Sequence, residues 1–246
     1  MNRKGIWLLQ ETTPEQLEMI AEIAPDYELI MGWTNENNDY PKEDIEILYG
    51  WNTKLCAPLL EMPKSNLRWI QVQSAGVDYM DINLLKKKNI ILTNGSGIHA
   101  IPISESVFGM ILAYTRGIQK SMKDQSKSIW DRNHPIIELH NSTIMIVGTG
   151  QIGTQVGKIA KAFGMKTIGV NRSGREVENM DIVVPQKNIS NYLYEADIVV
   201  NILPLTDLTR YFFNKELFSQ MKDGSIFINV GRGPSVKTSD LIDALN

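Results

Sequence analysis

Between Thr143 and Ser173 the chain carries residues whose types and spacing could hold a phosphorylated ligand. Gly148-Thr149-Gly150-Gln151-Ile152-Gly153 follows an apolar run, Thr143 to Val147, and precedes a helical pattern, Gln151 to Phe163. That context gives a G-x-G-x-x-G string its meaning. The first glycine allows a tight turn, the second lets the backbone approach a pyrophosphate, and the third lets helix and strand pack closely. The helix N-terminus adds N–H groups without helical partners and a favourable dipole. The stretch is therefore expected to bind a dinucleotide. The next strand, Lys166 to Val170, ends in Asn171-Arg172-Ser173, where an acid ordinarily holds the adenosine ribose hydroxyls. With no carboxylate to repel a 2′-phosphate, Arg172 and Ser173 offer it donors, so NADP(H) is favoured and NAD(H) possible. The other reading leaves Arg172 facing solvent over the adenine. A second chemical candidate is Arg232, flanked by Gly231 and Gly233 just after a strand. A planar guanidinium there could grip a carboxylate in fixed geometry, although most arginines are simply solvated. Three histidines could move protons: His99, His134 and His140. The last two fall in a polar stretch and are expected at the surface, and His99 is expected to be structural or pocket-lining.

Composition narrows the classes. Lys and Arg number 25 against 28 Asp and Glu, for a net charge of −3, and no segment has the concentrated positive charge that nucleic acid binding requires. The densest basic run, Lys86-Lys87-Lys88, reads as the solvated end of a helix, where cations suit the dipole. Cys56 is the single cysteine, so an internal disulfide is impossible and a cytoplasmic location fits. No run approaches the roughly 20 apolar residues of a membrane span, and Met1 to Gln10 reads as a first strand rather than a signal peptide.

The elements that must position these groups alternate. Strands are expected at Gly5 to Gln10, Tyr27 to Met31, Ile45 to Tyr49, Leu67 to Val72 and Ile90 to Thr93, with helices at Thr53 to Glu61 and Ile82 to Lys88. Thr13-Pro14-Glu15-Gln16 opens another helix, with Thr13 as cap, Pro14 at the first position and Gln16 completing a capping box. Ile101 to about Lys123 carries one long helical pattern. Asp124 to Asn141 is a polar excursion in which Trp130, Ile136 and Ile137 suggest a subunit contact. A second series follows: strands Thr143 to Val147, Lys166 to Val170, Asp197 to Ile202 and Ser225 to Val230, and helices Gln151 to Phe163, Ile189 to Glu195, Lys215 to Met221 and Thr238 to Leu245. Such alternation implies α/β architecture with mainly parallel sheets.

Four segments together resemble the D-isomer-specific 2-hydroxyacid dehydrogenases, the family of glyoxylate/hydroxypyruvate reductases and phosphoglycerate dehydrogenase. They are Leu67 to Gln71 with Ser74-Ala75-Gly76-Val77-Asp78; Asn94 to His99 with Ile103-Ser104-Glu105; Val147 to Gly153; and Leu203-Pro204-Leu205-Thr206 with Thr209, followed by Asn229-Val230-Gly231-Arg232-Gly233. The resemblance implies two lobes, one flavodoxin-like for the substrate (residues 1–100) and one Rossmann lobe for NAD(P) (residues 101–246), with a dimerisation arm at about 121–141. It implies hydride transfer between C4 of a nicotinamide and C2 of a small 2-oxo or 2-hydroxy acid such as glyoxylate or hydroxypyruvate. Arg232 then resembles the residue that holds the substrate carboxylate and polarises the keto oxygen. The amides of Ser74, Ala75, Gly76 and Val77 resemble a second carboxylate clamp, and Trp51 lies in the region that contributes to the substrate pocket. Ser104 resembles a position near the nicotinamide. Leu203, Pro204 and Thr209 resemble the lining of the adenosine and diphosphate side, and Val230 and Gly231 the approach to the nicotinamide ribose. Thr206 and Asp207 also read as a turn cap.

One expected group is not among these residues. Ketone reduction needs a proton donor, and the family's histidine, with its orienting glutamate, lies beyond the arginine motif. The expectation is therefore a longer polypeptide whose C-terminal part, including the segment that closes the first lobe, follows Asn246. The alternative, if the chain ends at Asn246, is a catalytically inactive dinucleotide-binding or redox-sensing protein. The resemblance further implies a homodimer.

Overall fold

The computed structural model describes residues 4–32, 40–133 and 135–246. It divides into two compact units, Met1–Ser96 and Gly97–Asn246, each an α/β layer structure around its own parallel sheet.

In the first unit, strands β1 (Gly5–Leu8), β2 (Glu28–Met31), β3 (Ile45–Tyr49), β4 (Trp69–Gln71) and β5 (Ile91–Thr93) form a sheet in the order β2-β1-β3-β4-β5. Every pairing is parallel, and this order is that of flavodoxin-like sheets. Helix α1 (Pro14–Ile23) starts as its sequence predicts. Thr13 Oγ1 accepts from Gln16 N at 3.3 Å, and Gln16 Oε1 accepts from Thr13 N at 2.9 Å. Asn52 caps α2 (Thr53–Glu61), and Asp81 caps α3 (Ile82–Lys87), whose last turn is basic and exposed. Leu48, Cys56, Leu59, Ile70, Val72 and Leu85 fill the core. Strand β4 covers only the middle of the expected Leu67 to Val72 run, whose two end residues are buried.

The second unit begins with a correction. The helical pattern from Ile101 is two helices, α4 (Ala100–Thr115) and α5 (Ile118–Gln125), broken at Gly117 with φ +64. Only glycine takes that left-handed conformation without a steric cost. The break falls where the buried stripe Ser104, Val107, Phe108, Ile111 and Thr115 gives way to the polar α5, which has no buried residue.

Strands β6 (Thr143–Val147), β7 (Lys166–Asn171), β8 (Ile182–Pro185), β9 (Ile198–Asn201) and β10 (Ile226–Asn229) make a parallel sheet in the order β10-β9-β6-β7-β8. Both of its faces are covered. Along β6, Ile144 and Ile146 pack towards α4 and α6 (Gln151–Ala162), while Met145 and Val147 join Val199, Phe213, Leu217 and Phe218 on the other side. That is the doubly wound Rossmann arrangement. The chain order reverses between β6 and β9, which places the switch point beside the glycine turn. Strand β8 was not expected from the sequence, and only Val184 of its four residues is buried. The expected helix at Ile189 to Glu195 is a pair of 3-10 turns, Gln186–Asn191 and Leu193–Glu195. Helices α7 (Lys215–Phe218) and α8 (Thr238–Leu245) complete the unit.

Two carboxylates brace this sheet at the N-terminal ends of its strands. Asp197 accepts from Thr143 N at 2.8 Å and pairs with Lys222 at 2.5 Å. Burial pushes its pKa up, but Lys222 and the Thr143 amide outweigh that and hold it below the ordinary Asp value. Asp181 is held low by a hydrogen bond from Lys161 and by the Thr167 amide.

Candidate functional site

Strand β6, buried from Ile144 to Val147, leads directly into Gly148, whose φ of +110 turns the chain under Ile202; a Cβ there would meet Ile202 backbone atoms at 3.0 Å. Gly148 N donates to Val170 O at 2.9 Å, which fixes the turn to β7. Gly150 is the N-cap of α6, and a Cβ there would meet nothing within 4 Å. Gly153 is enclosed, because its Cβ would stand 2.1 Å from Gly148 O. Farther along α6, a Cβ on Gly157 would stand 2.8 Å from Met180 Cε. The three motif glycines thus have different reasons: one bends the chain, one leaves open space before a helix N-terminus, and one lets helix and turn touch. Gln151 is exposed, Ile152 is half-buried and Thr149 is buried. The open face at Gly150, with the unpaired amides of the first α6 turn, fits a dinucleotide's pyrophosphate.

At the end of the neighbouring β7, Asn171 is half-buried and its amide is fully engaged. Its Nδ2 donates to Thr149 Oγ1 at 3.1 Å and to Arg175 O at 2.8 Å, and its Oδ1 accepts from Ser173 N at 3.2 Å and Gly174 N at 2.7 Å. Arg172 and Ser173 are exposed on the turn so formed.

The arginine motif follows β10 and rests on a polar network that sequence reasoning missed. Asn201, fully buried at the end of β9, donates to Asn229 Oδ1 at 3.1 Å and to Ser235 Oγ at 2.7 Å, and accepts from Leu203 N at 3.2 Å. Its backbone carbonyl receives Val230 N and Gly231 N at 3.0 and 3.1 Å. Ser235 Oγ donates to Arg232 O at 2.6 Å, and Asn229 Nδ2 donates to it at 3.3 Å. The turn that presents Arg232 is therefore held from behind by two asparagines and a serine. The one available signal was Asn201 itself, a polar residue ending the run Ile198-Val199-Val200. Gly231 is required by contact, since a Cβ there would lie 2.6 Å from Leu203 O.

The third loop at this edge, Leu203 to Thr209, is closed by Thr209. Its buried hydroxyl donates to Pro204 O at 2.6 Å and accepts from Thr206 N at 2.8 Å. Leu203 is buried as well, while Pro204 and Thr206 are exposed. The Thr209 hydroxyl is thus occupied within its own loop. Ser104 is fully buried on α4, with its hydroxyl donating to Ile101 O at 2.8 Å. That places it on the buried stripe of α4. Strand register brings the other groups together at the C-terminal edge of the sheet: Val147 stands opposite Val170 and Asn201, and Asn201 opposite Asn229. Doubly wound sheets bind ligands at that edge.

In the first unit, the loop after β4 holds Ser74, Ala75, Gly76 and Val77, all half-buried. Two of its carbonyls are tied back: Ser74 O accepts from Gly95 N at 3.3 Å, and Ala75 O accepts from Asn94 Nδ2 at 2.7 Å. In a trans peptide the N–H points opposite to the C=O. Asn94 and Gly95 therefore turn the amides of Ala75 and Gly76 the other way, as an anion clamp requires. Ser74 Oγ and the Tyr79 hydroxyl lie 2.7 Å apart. Trp51, just past β3, packs on the core and hydrogen bonds through Nε1 to Thr53 Oγ1 at 3.1 Å.

Of the histidines, His99 is half-buried just before α4 without a capping bond, and His140 is exposed with its ring over Gly164. His134 lies outside the described residues. Among the described residues no cluster of three metal-ligating side chains occurs, and no helix is long and apolar enough to cross a membrane.

Fold and site together define a two-unit α/β protein with a dinucleotide-binding Rossmann unit. The comparisons take this further. The family model described as D-isomer specific 2-hydroxyacid dehydrogenase, NAD binding domain, matches residues 108–246, and the catalytic domain of the same family matches residues 6–128. The chain belongs to that family. It is 32% identical over 236 residues to a glyoxylate/hydroxypyruvate reductase B of Escherichia coli, covering 93% of this chain and 70% of that one. It is 32% identical to a solved D-isomer specific 2-hydroxyacid dehydrogenase family protein from Aeromonas salmonicida, with a TM-score of 0.85, covering 99% and 77% of the two chains. An acyclic imino acid reductase solved with NADPH and D-Arg is 25% identical, with a TM-score of 0.83 over 98% and 78%. The matched stretch spans between 46% and 76% of the length of the curated relatives.

Proposed function

We propose that the chain belongs to an NADP(H)-preferring reductase of small 2-oxo acids, such as glyoxylate or hydroxypyruvate, yielding D-2-hydroxy acids. The observation that carries this reading is the C-terminal edge of the second sheet. There an open glycine turn, an Arg172–Ser173 turn without a carboxylate and a braced Arg232 share one strand register. Likeness to a glyoxylate/hydroxypyruvate reductase supports the substrate class, and likeness to an NADPH-bound reductase supports the cofactor class.

In this reading, the α6 amides hold the pyrophosphate, while Arg172 and Ser173 receive the 2′-phosphate. A bound nicotinamide supplies the hydride. Ser104 would lie near the nicotinamide, Val230 and Gly231 would approach its ribose, and Leu203, Pro204 and Thr209 would line the adenosine and diphosphate side. Arg232 grips the substrate carboxylate and polarises the keto oxygen. For the first unit taken by itself, the family resemblance assigns a carboxylate clamp to the amides of Ala75, Gly76 and Val77 and a substrate-pocket position to Trp51. A guanidinium suits this work because its fixed fork matches a planar acid. The keto oxygen needs a proton as hydride arrives. Following the family resemblance, we assign that proton to a histidine outside residues 1–246; His140 is exposed.

The exposed Ile118, Met122, Ile129, Trp130, Ile136 and Ile137 support a homodimer formed through the arm at 121–141. The deciding experiment measures kcat/KM with NADPH and NADH over a panel of 2-oxo acids, with intact mass determined on the same sample. A clear advantage for NADH refutes the cofactor assignment, and absence of turnover with every acid in a sample whose mass exceeds the 27.8 kDa of residues 1–246 refutes the reductase.

A further inference from the structure

We infer that Asn171 is not a ribose contact but the organiser of a turn that selects a 2′-phosphate, acting through Arg172 and Ser173. The inference rests on the NADP(H) reading above and deepens it.

An asparagine side chain has two N–H donors and two lone pairs on its oxygen. At Asn171 all four are used: Thr149 Oγ1, Arg175 O, Ser173 N and Gly174 N. The amide cannot be turned round. Two backbone N–H groups face one side and can only donate, while the Arg175 carbonyl faces the other and can only accept. Nothing remains to hold the ribose diol, which is the work of the acid ordinarily found at this place.

The same four bonds make a rigid turn. The Oδ1 contacts to Ser173 and Gly174 form an Asx-type turn. The Arg175 bond closes its far end, and the Thr149 bond ties it to the glycine loop. Thr149 is itself buried against β7, with its Cγ2 only 2.9 Å from where a Gly169 Cβ would stand. Gly174 is pinned from outside, because a Cβ there would lie 2.9 Å from Pro185 Cδ. Arg172 and Ser173 thus project from a turn clamped to both the phosphate loop and the edge strand β8. Their side chains are exposed, and Asn171 is what aims their backbone.

An aspartate would not convert this site to NAD(H) use. Its second oxygen would face Arg175 O, now 2.8 Å from Nδ2, so two acceptors would meet and the turn would open. The substitution that resembles a cofactor switch therefore removes 2′-phosphate recognition without creating a diol site.

The test uses the full chain, with adenosine 2′,5′-bisphosphate and 5′-AMP as probes, isothermal titration calorimetry for binding and thermal unfolding as a control. Wild type is expected to bind the bisphosphate at least tenfold more tightly than AMP. Asn171→Ala is expected to lose at least tenfold for the bisphosphate while AMP changes less than threefold and the fold is retained. Asn171→Asp should lose bisphosphate affinity with no gain for AMP or NADH. A tenfold gain for AMP or NADH in Asn171→Asp would show a direct ribose contact and overturn the inference. Unchanged bisphosphate affinity in Asn171→Ala, or an equal loss for both probes, overturns it as well. If Arg172→Ala loses the preference while Asn171→Ala keeps it, the cofactor reading stands and this inference alone fails. Equal binding of both probes by wild type defeats both.

Discussion

Alanine placed at Gly153 and at Gly150 should separate folding from ligand binding within one motif. At Gly153 the new Cβ would stand 2.1 Å from Gly148 O and 3.2 Å from Ile146 Cγ2. A carbon and a backbone oxygen need more than 3 Å, so α6 must move away from the turn by about 1 Å. The obstacle is backbone, which cannot swing aside as a side chain can. The cost is therefore at the upper end for overpacking, about 3 kcal/mol, offset by about 1 kcal/mol of helix propensity gained over glycine. A net loss of about 2 kcal/mol in a unit of this size lowers Tm by roughly 4–8 °C. At Gly150 the φ is −77 and nothing lies within 4 Å of the new Cβ. Gly150→Ala should accordingly unfold within about 1–2 °C of wild type, since substitutions without such a clash stay near 0.5 kcal/mol. Its methyl would occupy the open face before α6, and we expect it to weaken NADPH or ADP-ribose binding at least tenfold. Differential scanning calorimetry reads the first effect and titration calorimetry the second. The reasoning is refuted if Gly153→Ala leaves Tm unchanged, or if Gly150→Ala binds either ligand like wild type.

Arg232→Ala should reduce kcat/KM for the preferred 2-oxo acid more than tenfold, or about 1.4 kcal/mol, and a smaller loss removes its assigned role. The Cys56 thiol is buried and pushed up from 9.0 to about 11, so thiol reagents should label it at pH 8 only after unfolding; rapid labelling of the native chain would contradict the packing. Because the folded state holds that proton more tightly, the stability Cys56 contributes is complete below about pH 9 and declines towards pH 11, a decline that Cys56→Ala should abolish. Asp181 has the opposite sign. Its pKa is lowered in the folded state, so its contribution is present above the ordinary carboxylate range and is lost as pH falls through the folded value. Asp181→Asn should flatten part of the acid limb of Tm against pH, by a small amount because the pair with Lys161 is exposed. Trp130, at 84% exposure, should be a subunit anchor. Trp130→Asp is expected to convert a dimer to a monomer on gel filtration, and a wild-type monomer would end that assignment.

Much of the architecture is legible in the sequence, because its signals are local. The capping box at Thr13 and Gln16, the apolar strand feeding Gly148, and the alternation of strands with helices depend on residues only a few positions apart. The chain's order alone indicated parallel sheets, and the N-V-G-R-G segment marked Arg232. Where local periodicity misled, tertiary context decided. The pattern beyond Ile101 continues through Gly117, but the buried stripe of α4 ends at Thr115 and the backbone turns left-handed two residues later. Strand β8 leaves little signal in the sequence because, as an edge strand, it buries only Val184.

The chemistry divides in the same way. Residue types in the sequence were sufficient to indicate a dinucleotide, a carboxylate-gripping arginine and a turn lacking the ribose acid. Only the folded chain could show that Asn201 reaches Ser235, 34 residues away, to brace the Arg232 turn, and that the Ser104 and Thr209 hydroxyls donate to the carbonyls of Ile101 and Pro204. It also showed that the Asn171 amide has no valence left for a ligand. The physical reason is that a side chain's type sets how many hydrogen bonds it can make. Which partners take them is determined by strands and loops that meet only when the chain is folded.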